Sequence, residues 1–219
     1  YMDVIFLEKD SSSRTHKAVR EIEQIVGDRG LVAGSAVSDT NLGPTINAEV
    51  ARVMVLAVII IYLILTLTTT SWFEPVLFLS VLGIAIIINM GSNIIFGEIS
   101  FLSNAVGAVL QLACSMDYSI FLLHAFTEER ANGAEPEQAM ANALRSAVSS
   151  IGASGATTIV GFAAMVLMNF GIGPDMGLVL AKGIALSLVT VLLLMPALIL
   201  RSQNIVAKTQ HRPFVPKQW

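Results

Sequence analysis

A carboxylate and a phenol stand side by side in a stretch of sequence that is otherwise suited to lipid. Asp117 and Tyr118 lie within residues 101–126, which are almost uncharged. A carboxylate near the centre of a membrane helix costs about 2.5–3.5 kcal/mol on insertion scales, and such residues usually mark routes for ions or protons. Tyr118 can donate or accept a hydrogen bond beside it. Asp117 therefore indicates an ion or proton route rather than helix packing, which Ser or Asn would provide at lower cost, whereas Tyr118 by itself is more often a packing residue.

Other polar side chains could support this pair. Four- and three-residue spacing places Gln111, Ser115 and Tyr118 on one face of a helix, with Asp117 on the neighbouring face. Ser115, Thr157, Thr158 and Lys182 are the candidate supporting residues. For Lys182 the sequence favours a side chain that extends toward the membrane surface over a direct ion pair, because Asp117 lies roughly 10 Å deeper at 1.5 Å per residue.

Small residues fill the stretch that contains the two threonines. The sequence SSIGASGATTIVG places Gly152 four residues from Ala156, and Thr157 four residues from Gly161. Such spacing lets a second helix approach closely, so we expect close packing to be the main role of this stretch. Gly155 and Gly161 are both expected to lie at helix contacts.

Composition places the chain among membrane proteins. Of 219 residues, 54% are hydrophobic and only 13% are charged, and the mean hydropathy is +0.73, whereas soluble domains carry about 25% charged residues. A bilayer core of about 30 Å needs about 20 apolar residues per helix. Five stretches meet this requirement, which predicts an all-α polytopic bundle of five transmembrane helices: residues 53–70, 75–96, 101–126, 148–170 and 176–200.

Several classes of function lack support in the sequence. The chain has one cysteine, Cys114, so it has no disulfide framework. No phosphate-binding loop, metal-ligand spacing or catalytic triad is visible, so we expect neither an enzyme nor a cofactor or metal site. The formal net charge of −3 gives no reason to expect nucleic-acid binding.

The basic residues predict how the chain crosses the membrane. The short links GEIS and GIGPD contain no Lys or Arg, whereas the 127–147 link and the tail beyond residue 200 carry Arg130, Arg145, Arg201, Lys208, Arg212 and Lys217. Since basic residues concentrate in cytoplasmic loops, we expect the link and the C-terminus in the cytoplasm. Residues 1–49 would then lie outside, in a multi-pass protein of the cytoplasmic membrane.

Three regions follow from these assignments. Residues 1–49 read as part of an extracytoplasmic α+β domain, with strands in MDVIFL and GLVAGSAV around a helix with apolar residues at Ala18, Ile22, Ile25 and Val26. Residues 50–201 form the transmembrane bundle. Its 127–147 link turns at Asn132-Gly133, and an amphipathic helix starts at Pro136 with an apolar stripe at Ala139, Met140, Ala143, Leu144 and Val148. Residues 202–219 form a cytoplasmic tail or a linker to a second half.

The amino-acid sequences of several segments resemble those of a known transporter family. SMDYSIFLLHAFTEER, EQAM, SSIGASGATTIVGFAAM and GLVLAKGIALSLVTVLLLMPALIL are similar to the RND superfamily, most closely to its MmpL-like, hydrophobe/amphiphile exporter branch. The resemblance implies the end of a porter domain and the last five helices of one half. It also implies that Asp117 and Tyr118 are the proton-relay pair. Multidrug members carry two adjacent acidic residues here, so a single one favours the lipid and amphiphile exporters.

The resemblance implies a function and a set of partners. We expect proton-driven export of hydrophobic or amphiphilic molecules or lipids, in contact with membrane lipids and with the remainder of a longer transporter: its first helix, the rest of the porter domain and a second half. HRPFVPKQW suggests the N-terminal half, and assembly into a homo-oligomer stays open. The alternatives are a sterol- or lipid-sensing receptor and a protein-export accessory subunit of the same architecture.

Overall fold

Five long apolar helices dominate the structure. The computed structural model describes residues 2–10, 12–69, 71–96, 99–169 and 172–210. Within these residues the helices are α1 Ser13–Val26, α2 Ser35–Thr68, α3 Glu74–Ser92, α4 Phe101–Ala131, α5 Pro136–Ala164 and α6 Ile172–Lys208. Helices α2 to α6 are each long and apolar enough to cross a membrane. The prediction of five apolar helices of membrane-spanning length is therefore confirmed.

The turn between α4 and α5 has the predicted chemistry. Gly133 adopts a φ of +88°, a left-handed conformation that L residues other than Gly rarely take. Its N–H donates to the Arg130 carbonyl at 3.1 Å, which closes the end of α4. Pro136 then occupies the first position of α5, where no backbone N–H is needed. So tight a turn makes α4 and α5 antiparallel neighbours.

The amphipathic link continues into the fourth span as a single helix. Ala139, Met140 and Ala143 of the predicted apolar stripe are buried. Val148 is 54% exposed, so its place in the stripe was wrong, and Ala147 takes the inward position at 0% exposure. The reason is the helical period of 3.6 residues, which brings position 147 rather than 148 back to the same side after Ala143.

Helix α6 occupies the centre of the bundle. It packs against α3, α4 and α5, while α2 lies to the side against α3 and α4. Phe78 of α3, Leu122 of α4 and Ile184 and Met195 of α6 form much of the apolar core, and each is at most 1% exposed. Helices α2 and α5 lie mostly at the surface, since only 11% of their membrane-spanning windows are buried.

The predicted strands do not form in the described residues. Residues 2–6 have no regular secondary structure, and Ser35 begins α2 rather than ending a strand. A strand needs a partner for its backbone hydrogen bonds, and Ile5 at 88% exposure packs on nothing that would provide one. The helix of this segment is confirmed as α1, which buries Thr15 and Val19 and packs against α2.

The tail is described only in part. Helix α6 extends through Arg201 to Lys208, well past the predicted end of the fifth span. The Ser71 hydroxyl then meets that of Thr209 at 2.7 Å, which ties the start of α3 to the end of α6. Residues 211–219, with Arg212 and Lys217 of the predicted basic tail, lie outside the described residues.

Two glycines of α5 have opposite surroundings. A Cβ at Gly155 would lie 2.1 Å from Leu188 Cδ1 of α6, so this position permits the close contact that the sequence predicts. A Cβ at Gly161 would meet nothing within 4 Å, so the same expectation for Gly161 was wrong within the described residues. Gly161 instead lies on the outer side of α5, which the described helices do not cover.

Substitution of these two glycines should therefore have unequal effects. Gly155→Leu should lower folded yield and thermal stability, because overpacking costs about 1–3 kcal/mol. Gly161→Leu is the matched control and should behave like the parent protein. Thermal unfolding in detergent measures both, and equal losses in the two variants would contradict the packing described for α5.

Candidate functional site

Asp117 lies on the outer side of α4. Its neighbours on that side are Ala113, Phe121 and His124, all exposed, and the described helices leave this face uncovered. Within the described residues the carboxylate makes neither a hydrogen bond nor an ion pair. The Asp117 carboxylate therefore does not face the interior of these five helices, where carboxylates in membrane helices usually lie. The cause is the register of α4, which turns Tyr118 and Leu122 inward instead.

Tyr118, in contrast, faces inward and packs beside α5. Its side chain is only 5% exposed, and its hydroxyl lies 3.5 Å from the position that a Cβ of Gly155 would take. Thr158 of α5 lies beside this hydroxyl and donates its own hydrogen to the Ser154 carbonyl at 3.0 Å. Asp117 and Tyr118 are thus adjacent in sequence but look toward different surroundings.

The other predicted supporting residues do not converge on Asp117. Thr157 is exposed on α5 and donates to the Ala153 carbonyl at 3.0 Å. Ser115 is fully buried on the inner side of α4. Of the predicted set, the structure brings together Tyr118 and Thr158, with Asp117 next to them along α4.

Lys182 belongs to a different part of the bundle. Its ammonium donates to the Asn89 carbonyl at 3.1 Å and to the Asn93 side chain, both on the side of the α3–α4 connection. Asn93 in turn donates to Asn104 at 2.6 Å. Because Gln111 bonds to Gly183, Lys182 is level with Gln111, about 9 Å along α4 from Asp117. No ion pair with Asp117 forms in the described residues, and the extension of Lys182 toward the membrane surface stays a prediction.

A buried amide network joins three helices at the level of Gln111. The Gln111 side chain accepts a hydrogen bond from Asn89 Nδ2 at 2.8 Å. Its own nitrogen donates to the Gly183 carbonyl at 3.1 Å and to the Ser187 hydroxyl at 2.9 Å. Gln111 and Asn89 are each 1% exposed. One amide therefore links α3, α4 and α6 inside the membrane.

Sequence reasoning identified part of this network. The sequence placed Gln111 on one helix face with Ser115, and amide side chains such as those of Asn89 and Asn93 form hydrogen bonds between membrane helices. The sequence did not identify Ser187 as a member of this network, because a single Ser in an apolar run is compatible with any orientation of the helix. Among the described residues no group of three or more His, Cys, Asp or Glu side chains is arranged to hold a metal ion.

Comparison with known proteins identifies proteins whose sequences are similar to this chain. The profile of the MMPL family matches residues 4–219. A candidate membrane protein of Methanocaldococcus jannaschii is 32% identical over 154 residues, covering 70% of this chain and 38% of that protein. The protein translocase subunit SecD of Acetobacter pasteurianus is 29% identical over 175 residues, covering 76% of this chain and 32% of SecD.

A third relative aligns with most of this chain. A candidate membrane protein of Streptomyces coelicolor is 25% identical over 206 residues, covering 90% of this chain and 29% of that protein. The aligned regions thus cover less than two fifths of each of these three relatives.

Removal of the Gln111 amide should destabilise the bundle. Gln111→Leu keeps the size of the side chain but leaves Asn89, Ser187 and the Gly183 carbonyl without their partner. A buried polar group left unpaired costs about 1–3 kcal/mol, so the unfolding temperature should fall. Gln138→Leu is the control, since Gln138 is exposed and bonds only to Asn142 of its own helix. Equal unfolding temperatures for the two variants would contradict a structural role for the network.

Proposed function

Because the chain belongs to the MMPL family, we propose that it supplies membrane helices to a proton-driven exporter of hydrophobic or amphiphilic molecules or lipids. The observation that carries this proposal is Asp117, a carboxylate midway along an apolar helix on a face that no described helix covers. Residues 1–49 would lie outside the cytoplasmic membrane as part of a porter domain, and the C-terminus would lie inside. The proton would bind at the Asp117 carboxylate.

The energy of a carboxylate in lipid supports a covered site. Contact with acyl chains would cost about 2.5–3.5 kcal/mol at the centre of a helix. The match covers only 38% of the first relative's length, and in the proposed transporter a segment beyond this bundle would cover the Asp117 face. A covered face with some water would let Asp117 be neutral or ionised at acceptable cost. We therefore propose that the Asp117 face packs against another part of the transporter.

Proton binding at this position could change helix packing. A neutral Asp117 is compatible with the apolar surroundings of Phe121, whereas an ionised one needs water or hydrogen-bond donors. Tyr118 follows directly in the chain and packs beside Gly155 of α5. A shift of α4 at Asp117 would therefore move Tyr118 against α5. In this proposal the proton favours one arrangement of α4 and α5, and its release favours the other.

The similarity to SecD favours a second candidate. That relative is by name a subunit of a protein translocase, so this chain could assist protein export with the same bundle. Proton use would be common to both functions, and the cargo would differ. Export of a fluorescent amphiphile by the intact transporter would support the first function. Depletion of the transporter that lowers protein secretion but leaves amphiphile export unchanged would support the second.

Neutralisation of Asp117 should stop proton-coupled transport. Asp117→Asn keeps the shape of the side chain but cannot ionise, so proton flux into sealed vesicles and export of a fluorescent amphiphile should both fall to background. Tyr118→Phe should reduce them less, because water can replace the hydroxyl. Asp175→Asn is the matched control in the first turn of α6 and should keep the parental rate. Parental transport by Asp117→Asn, with an intact proton gradient, would refute the relay.

The proposed orientation has a separate test. Gln210 is exposed at the end of the described tail, and Gln210→Cys in a Cys114→Ala background places one thiol there. A membrane-impermeant maleimide should label this thiol only after the cytoplasmic side is opened. A cysteine at Leu31, which is 93% exposed in the segment before α2, is the control and should react in sealed cells. Labelling of the Gln210→Cys thiol in sealed cells would show that the C-terminus lies outside, which would contradict the proposed orientation.

A further inference from the structure

One segment of α2 has a sequence that disfavours a helix. Residues 41–47 read NLGPTIN, and Gly and Pro have the lowest helix propensities, about 1 and 3 kcal/mol below Ala. The structure nevertheless continues α2 through Gly43 and Pro44. Pro44 has no N–H to donate to the Thr40 carbonyl, and a proline in a helix interior bends or breaks the helix. Conflicts of this kind between local preference and structure are expected at functional or strained sites.

Helix α1 is attached to the part of α2 that precedes this proline. The Asn41 amide donates to the Glu23 carboxylate at 2.7 Å, and His16 Nε2 lies 3.9 Å from the Asp39 carboxylate. Both contacts join α1 to residues of α2 that come before the proline. Residues 13–43, called the N-terminal unit below, are therefore held together by contacts within the unit.

The part of α2 that follows the proline is loosely packed over several turns. None of the described side chains of residues 44–60 is buried. Ile61 then packs against the hydrophobic core, and Leu65, at 1% exposure, belongs to that core. Helix α2 is therefore held at two places, by α1 near its start and by the bundle near its end. Pro44 lies between these two places, at the edge of the N-terminal unit.

The length of α2 leaves room for the N-terminal unit beyond the lipid. Its 34 residues extend roughly 51 Å at 1.5 Å per residue, whereas a bilayer core is about 30 Å thick. The stretch that the sequence predicts to cross the membrane begins at residue 53, nine residues after Pro44. A bend at Pro44 would therefore move the N-terminal unit without moving the part of α2 that contacts lipid.

We propose that Gly43 and Pro44 form an elbow at which the N-terminal unit tilts as one body relative to the membrane bundle. A hinge absorbs its change in φ and ψ over a few residues, and Pro44 makes the change easier because the backbone hydrogen bond to Thr40 is already missing. Helix α1 follows the start of α2 through its contacts, while α3 to α6 keep theirs. The elbow does not depend on proton binding at Asp117.

Double electron–electron resonance, which measures the distances between two spin labels, tests the elbow in the membrane-embedded protein. One label is attached at Val160→Cys, 68% exposed on α5, in a Cys114→Ala background. The second label is attached either at Ser35→Cys, nine residues before Pro44, or at Val53→Cys, nine residues after it, and both positions are exposed. The two pairs therefore sample α2 at equal distances on either side of the proposed elbow.

The Ser35–Val160 distance distribution should be wider than the Val53–Val160 distribution by roughly 5 Å, because a bend of about 20° moves a point nine residues away by that amount. Pro44→Ala restores the missing N–H and should narrow the wider distribution to the width of the other. Pro136→Ala is the control and should change neither distribution, since Pro136 occupies the first position of α5, where no helical N–H is needed.

Two results would overturn the proposal. One is a Ser35–Val160 distribution no wider than the Val53–Val160 distribution, and the other is a width that Pro44→Ala leaves unchanged. Pro44 is exposed, and Ala favours a helix more than Pro does, so Pro44→Ala should fold; Pro44→Gln decides by the same criterion if it does not. Loss of transport in Asp117→Asn would alter neither distribution, so the two proposals fail independently.

Discussion

The Gln111 amide determines how the helices of this bundle are arranged. Apolar side chains gain little by moving from lipid into a bundle, so close packing and interhelical hydrogen bonds must hold membrane helices together. Gln111 supplies such bonds to α3 and α6 at once. The contact requires Gly183, where a Cβ would lie 2.6 Å from Asn89 Nδ2. With Gln111 facing α6, the helical rotation of about 100° per residue places Asp117 about 120° away from it.

This rotation separates two kinds of chemistry on one helix. The inner side of α4 carries neutral hydroxyls and amides, and the outer side carries Asp117 and His124. Tyr118 lies on the inner side, beside Gly155 of α5. In the proposed mechanism, a charge change at Asp117 would reach α5 through the neighbouring Tyr118, which packs beside Gly155.

The sequence predicted the helices well and the contacts incompletely. Span length, the Asn132-Gly133 turn and Pro136 act locally, so the five spans and the α4–α5 turn followed from the chain itself. The side to which Asp117 points was not predictable, because it depends on which neighbours bind Gln111. Gly155 and Gly161 look alike in sequence, yet only Gly155 meets Leu188. The prediction of strands before α2 was wrong for a related reason, because the backbone hydrogen bonds of a strand need a neighbouring partner.

The central claim is that the Asp117 carboxyl gains and loses a proton while the protein works. Infrared difference spectroscopy of the membrane-embedded transporter, recorded as the external pH is lowered, observes this event at the carboxyl group. The account predicts that a protonated-carboxyl C=O band appears on acidification in the parent protein and is missing in Asp117→Asn. An identical band in both proteins, or none in either, would show that Asp117 does not change protonation and would contradict the account.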